Sequence, residues 1–253
     1  MVDAAPRGQV ALITGSGRRR VGNVIARALA GDGYRVAIHY HRSEEAARET
    51  VDELRASGAD AMAWGADLAR EEEVGRLFDG VLGRFRRLDA LVLTSSIWEA
   101  KPLEQVTAED VRRHFEVNTL ATFLCAHRGG LIMAAQAEGG AIITFGDWAI
   151  ERPYADHAAY FVSKGAIPTL TRTLAVELAR RNPRVRVNCI HPGPVMFPEA
   201  MSDEEREATW RSTLVQQADC PESVVSAVRF LIGNEFVTGA CLPVDGGRTI
   251  FAA

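Results

Sequence analysis

Short β-branched runs alternate with stretches of helical periodicity along nearly the whole chain, and few folds accommodate that alternation. QVALIT (9–14) reads as a buried strand, after which Val21, Val24, Ile25, Ala28 and Leu29 recur at helical spacing. RVAIHY (35–40), ADAMAW (59–64), LDALVLT (88–94), AIITF (141–145), VRVNCI (185–190) and ACLPV (240–244) read as further strands. Helices are expected after Ser43, near 70–85, as one long element after Thr107, over 157–181 and from Pro221. Ser43 precedes Glu44 and Glu45 as a helix cap, and Thr107 with Asp110 forms a capping box with Asp in place of Glu. Repeated β-α units force a parallel sheet covered on both faces. The expected architecture is therefore α/β, a doubly wound parallel sheet in three α/β/α layers. No repeat, low-complexity tract or linker divides residues 1–253, so a single domain is expected. The polar segment 194–215, after Pro192-Gly193-Pro194, is expected to be a lid over a site.

Charge and cysteine usage narrow the function. The net charge is -4, which speaks against a general nucleic-acid binder. No apolar run reaches the ~20 residues that span a bilayer, and MVDAAPRGQV has no apolar segment of a secretory signal, so no membrane association is expected. Cys125, Cys189, Cys220 and Cys241 are scattered, without a C-x-x-C pair, which suggests reduced thiols in a cytoplasm and no zinc finger. Residues 18–42 stand apart. They hold six arginines and one acid, Asp32, and so predict a small anionic ligand.

In parallel sheets ligands bind beyond the carboxyl ends of the strands. After the first strand comes Thr14-Gly15-Ser16-Gly17-Arg18-Arg19-Arg20-Val21-Gly22. Glycines at a strand-to-helix junction let backbone approach a pyrophosphate, although the last gap here is longer than in G-x-G-x-x-G; a plain tight turn is the alternative. The second strand ends in His39-Tyr40-His41-Arg42-Ser43, with no acid to hold a ribose 2′-hydroxyl and with Arg42 placed for a 2′-phosphate. A solvated basic loop would look the same. His39-x-His41 lacks a third ligand, so no metal is expected. Tyr160 and Lys164 stand four residues apart on one helix face. An ammonium beside a phenol lowers the phenol's pKa and makes it a usable proton donor.

Together these residues resemble the short-chain dehydrogenase/reductase family. The resemblance covers nearly the whole chain: Thr14-Gly15 through Gly22, Asp67 in Ala-Asp-Leu, Asn118 in Val-Asn-Thr, Tyr160 with Lys164, Pro192-Gly193, and Val244-Asp245-Gly246-Gly247. It implies a Rossmann-type fold, a homotetramer or dimer, a small-molecule substrate and a nicotinamide cofactor. Tyr160 would be the proton donor, Lys164 would hold the nicotinamide ribose and tune Tyr160, and Asn118 would hold a relay water. Asp67 would lie near the adenine, and Pro192 and Gly193 near the cofactor.

Two departures stand out. Leu93-Thr94-Ser95-Ser96 replaces the family's Asn-Asn-Ala-Gly after the fourth strand, and Asp147 occupies the position of the catalytic serine. The closest resemblance within the family is to pteridine reductases. They share an arginine in the glycine turn (here Arg20), the run His39-Tyr40-His41-Arg42-Ser43, the aspartate, and an aromatic (here Trp98) with a serine before it (here Ser96). That implies NADPH as cofactor, with Trp98, Ser96, Asp147 and Tyr160 around a pterin-like ring. A carboxylate at position 147 suits a ring nitrogen better than an oxyanion. The rival readings are a generic carbonyl or 3-oxoacyl reductase, an Asp147 that has simply lost the serine's role, and a non-catalytic NADP(H)-binding sensor. Pro168 falls inside the Tyr160 helix, where a kink is expected.

Overall fold

A computed structural model of the chain describes residues 8–251. Seven parallel strands form one sheet in the order β3-β2-β1-β4-β5-β6-β7. They are β1 (Val10–Thr14), β2 (Arg35–Tyr40), β3 (Ala61–Gly65), β4 (Ala90–Leu93), β5 (Gly140–Phe145), β6 (Val185–Pro192) and β7 (Cys241–Val244). The helices are α1 (Val21–Gly31), α2 (Glu44–Ala56), α3 (Glu71–Phe85), α4 (Ala108–His114), α5 (Ala121–Ala134), α6 (Ala158–Ala179), α7 (Asp203–Arg211) and α8 (Pro221–Gly233). This is the doubly wound, three-layer, Rossmann-type domain. Its strand order reverses between β1 and β4, and that reversal opens a crevice at the carboxyl ends.

Strand alternation builds two cores. Along β1, Val10 and Leu12 enter the cluster with Phe78, Phe85, Leu91, Met133 and Leu178, beneath α3, α5 and α6. Ala11 and Ile13 enter the opposite cluster with Ile25, Val36, Val51 and Val228, beneath α1, α2 and α8. Because both faces are covered, β1 is buried throughout, and its sequence is continuously apolar until Thr14.

Most boundaries fall within two residues of the sequence expectation, and three local features differ. Ser43 precedes α2, but its hydroxyl caps nothing; its backbone (φ -106°, ψ 55°) lacks the extended geometry that aims a capping oxygen at the first turn. Thr107 and Asp110 do form their capping box, but the helix they open is interrupted. A π-turn spans Phe115–Leu120 between α4 and α5, and it carries Asn118. The segment 194–215 contains α7, which was not expected. Ser202 and Glu205 cap it reciprocally, a signal present in the sequence. α6 passes through Pro168 as one element, and that residue has no N–H for the carbonyl of Lys164.

Candidate active site

The glycine turn is held from below. Gly15 adopts φ +63°, and a Cβ there would come within 3.1 Å of the Ser95 Cα. A Cβ on Gly22 would come within 2.3 Å of Thr94 Oγ1, so β-carbon-free backbone is what lets α1 begin against the end of β4. The Gly15 N–H donates to Nδ1 of His39 (3.1 Å), and His39 Nε2 donates to the carbonyl of Ala66 (3.0 Å). That pair of bonds fixes a neutral tautomer. Burial drives the His39 pKa down to about 4. His39, expected to touch a cofactor, is therefore a buried strut beneath the turn, because its side chain points inward from β2.

Its neighbours differ. Arg18, Arg19, Arg20, His41 and Arg42 are exposed, while Tyr40 and Ser43 are half-buried. None of Arg18, Arg19, Arg20 and Arg42 forms an ion pair among the described residues, although most other arginines on the surface do. Arg20 stands at the N-terminus of α1, with its pKa lowered by burial and by Arg18. Asp67 already serves the turn into α3: its carboxylate accepts from Ala69 N (3.1 Å) and Arg70 Nε (3.3 Å).

The loop after β4 has its own support where the family's asparagines are missing. Thr94 Oγ1 donates to the carbonyl of Thr14 (2.5 Å), and Ser95 N–H donates to Thr14 Oγ1 (3.2 Å). Ser96 Oγ and Ile97 N–H both donate to Oδ1 of Asn118 (3.0 and 2.8 Å). Asn118 Nδ2 donates in turn to Ile97 O (3.1 Å) and Ser163 Oγ (3.0 Å), and Ser163 Oγ donates to the carbonyl of Tyr160 (2.6 Å). Two sets of polar contacts, carried by one loop, thus tie it at Thr94–Ser95 to the end of β1 and at Ser96–Ile97, through Asn118, to the helix that carries Tyr160. Asn118 is fully buried and satisfied at its side chain, so it clamps this loop; it is not a helix-surface amide. Thr14, Thr94, Ser95 and Ser163 were absent from the sequence-based site. They come from the end of β1, the loop after β4 and α6, a meeting that spacing does not reveal.

At the other end of the crevice, the Tyr160 hydroxyl donates to Asp147 Oδ2 at 2.6 Å. Asp147 Oδ1 accepts from Ala149 N–H (2.8 Å), which caps the 3₁₀ turn Trp148–Ile150 and fixes the carboxylate. Lys164 Nζ donates to the carbonyl of Phe145 (2.9 Å) and lies 6.0 Å from the Tyr160 ring centre. Burial, the charge of Asp147 and its hydrogen bond all push the Tyr160 pKa up. Burial lowers that of Lys164, against the opposing pull of Asp147. The lysine was expected to lower the phenol's pKa. The carboxylate prevails, because it touches the hydroxyl while the ammonium is committed to Phe145.

Trp98 is 55% exposed. It stacks on His157 (centroids 4.8 Å apart), and its indole N–H donates to Tyr154 Oη (3.0 Å). Tyr154 also stacks near Trp148, whose other neighbour is Arg248 at 4.4 Å. These aromatic side chains border Asp147 and Tyr160. Gly193 N–H donates to Val244 O (2.9 Å), which packs Pro192-Gly193 against the Asp245-Gly246-Gly247 turn. The far end of 194–215 meets that same turn, with Val215 N–H donating to Gly246 O (3.3 Å).

This fold recurs in known proteins. A family model described as "Enoyl-(Acyl carrier protein) reductase" matches residues 16–249. 3beta-hydroxysteroid dehydrogenase 1 of Eggerthella lenta is 33% identical over 251 residues, covering 97% of this chain and 95% of its own. Versicolorin reductase 1 of Aspergillus parasiticus is 34% identical over 258 residues, covering 95% and 96%. A short chain dehydrogenase from Burkholderia cenocepacia J2315, solved in complex with NADP, superposes with a TM-score of 0.86 at 32% identity, covering 96% of this chain and 98% of that one. The chain belongs to the short-chain dehydrogenase/reductase family and is an oxidoreductase of that type. The names of these relatives lend no support to the narrower resemblance to pteridine reductases. No helix among the described residues is long and apolar enough to cross a membrane.

Proposed function

We propose that this protein is an NADPH-dependent reductase of a flat, cyclic carbonyl compound, with Tyr160 as proton donor. The observation that carries the proposal is the Tyr160–Asp147 contact at 2.6 Å, half-buried at the strand ends beside exposed aromatic side chains. A developing alkoxide is more basic than a phenolate, so Tyr160, once its hydroxyl turns from Asp147 to the substrate oxygen, can give up its proton even with its pKa raised. The donor set fits the cofactor. Arginines without acidic partners among the described residues flank a glycine turn at the N-terminus of α1, as a diphosphate and a 2′-phosphate require. Gly15, Arg20, Gly22 and Tyr40 to Ser43 would hold it on one side, and Ser96, Lys164, Pro192 and Gly193 on the other. When bound, the nicotinamide supplies the hydride. The protein's own residues orient the substrate on Trp98, keep the proton on Tyr160 and limit water through the 194–215 segment. Asp67 and His39 support from behind, and Asn118 positions the loop.

A second reading keeps the pterin-like N-heterocycle. Asp147 favours it, since a carboxylate that already accepts from Tyr160 also accepts from a ring N–H. Parallel screening of cyclic ketones, 3-oxoacyl esters and dihydropterins, each with NADPH and NADH, separates these readings. Turnover of ketones with NADPH is expected. Turnover of dihydropterins alone would install the second reading, and NADPH binding without turnover of any class would favour a sensor. The same reading includes a cytoplasmic homodimer or homotetramer. The π-turn, α5 and α6 leave Leu120, Phe123, Val162 and Val176 exposed, and light scattering of the purified chain measures the assembly.

A further inference from the structure

Beyond the crevice, strand register assembles a second group of reactive side chains. In β6, Cys189 and His191 are two residues apart and so share a face of the sheet. In β7, Cys241 is the direct register partner of Cys189. All three side chains therefore stand on one face at the carboxyl-end half of the sheet. A ligand atom from each lies within 4.8 Å of the other two. Cys189 is fully buried, His191 is 6% exposed, and Cys241 is partly open to solvent. His191 Nε2 is buried without a hydrogen-bond partner among the described residues, a costly state for a ring nitrogen. A Cβ added to Gly146 would sit 2.8 Å from that nitrogen, so the cluster adjoins the residue before Asp147. The sequence spacing conceals the group, because Cys189 and Cys241 lie on different strands with α7 and α8 between them.

We propose that Cys189, His191 and Cys241 form a binding site for one zinc ion. Two thiolates and an imidazole are the donor set that a borderline-soft d¹⁰ cation selects, and oxygen-seeking magnesium or calcium would not compete for it. Two thiolates and a divalent ion sum to zero charge, which suits a site this buried. The ligands sit on adjacent, hydrogen-bonded strands, so little order has to be created on binding. Cys241 provides the entry path, and a water reaching it from solvent completes the shell. His191 leads directly into Pro192-Gly193, so an ion here would pin the β6–β7 end of the crevice to the sheet.

The test uses cobalt as a spectroscopic probe for zinc. The full chain, freed of metal and kept reduced with a phosphine, is titrated with Co²⁺ and then with Zn²⁺. One equivalent of Co²⁺ is expected to give a thiolate-to-cobalt charge-transfer band, which Zn²⁺ then bleaches. Zn²⁺ is also expected to raise the melting temperature. Cys241→Ser should abolish the band, His191→Gln should weaken binding by at least about tenfold, and Cys220→Ser should change neither. Cys241 is partly exposed, so its variant is expected to fold, and thermal melting of the metal-free form checks this. A wild-type chain with titratable thiols but no band, or a band that survives in Cys241→Ser, would overturn the proposal. So would a band lost equally in Cys220→Ser.

Discussion

The two ends of the crevice handle charge in opposite ways. At the β1–β2 end the charges are left free: Arg18, Arg19, Arg20 and Arg42 are exposed with no acidic partner among the described residues, while His39 beneath them is neutral. At the β5–α6 end the charges are committed: Asp147 holds the Tyr160 proton, and Lys164 holds the Phe145 carbonyl. A free cation can select an anionic ligand at little desolvation cost. A committed carboxylate instead sets where one proton resides. On the proposed reading, Arg42 serves binding and Tyr160 serves chemistry, while Lys164 belongs to both, so the first two can be broken one without the other.

The largest expected effect is at the committed end. Tyr160→Phe removes the hydroxyl and little else, so turnover should fall by about 100-fold or more while NADPH affinity, read by fluorescence, stays near the wild-type value. Loss of both together would mean that the two halves are not separable. Next comes the support of the free end. His39 is neutral in the fold at a pH where it would be charged in the unfolded chain. Its contribution is complete above about 6.5 and is lost as pH falls toward about 4, by up to about 3 kcal/mol. Denaturant melts across that range should show the decline, and His39→Gln should flatten it.

Arg42→Ala should weaken NADPH by roughly 10- to 100-fold and leave NADH nearly unchanged, as for loss of a charge-assisted contact. Calorimetry with both cofactors measures this, and equal losses would remove Arg42 from the 2′-phosphate. The smallest effect is at the aromatic wall. Trp98→Ala should raise KM about fivefold with kcat little changed, since one stacking face is lost.

Periodicity carried the fold because the central strands β1, β4 and β5 are buried on both faces and so stay largely apolar along their length. Where the sequence misled, a local geometric event was responsible. The π-turn at Phe115–Leu120 adds a residue to one helical turn without altering composition, and Ser43 has the chemistry of a cap without its backbone angles. In the site, Tyr160, Lys164 and Asn118 were legible because they fall in short motifs. The influence of Asp147 on Tyr160 was not legible as a magnitude. Spacing places Lys164 on the face of Tyr160, but only coordinates show the ammonium turned to Phe145 and the carboxylate within 2.6 Å of the hydroxyl. His39 illustrates the same limit. Its motif points to the cofactor, while β2 is covered on both faces along Val36–His39 and buries its ring.

That control of Tyr160 by Asp147 is open to direct titration. The chain has 4 tyrosines, so ¹³Cζ-tyrosine labelling resolves them by NMR, and Tyr160→Phe assigns the signal. In the wild type the Tyr160 resonance should remain that of the neutral phenol beyond the pH where an ordinary tyrosine, near 10, ionises. In Asp147→Ser, which removes the charge and keeps a hydroxyl partner, its titration should move to lower pH. A Tyr160 signal that titrates at or below the ordinary value in the wild type, or that does not move in Asp147→Ser, would contradict the assignment of the proton to this pair.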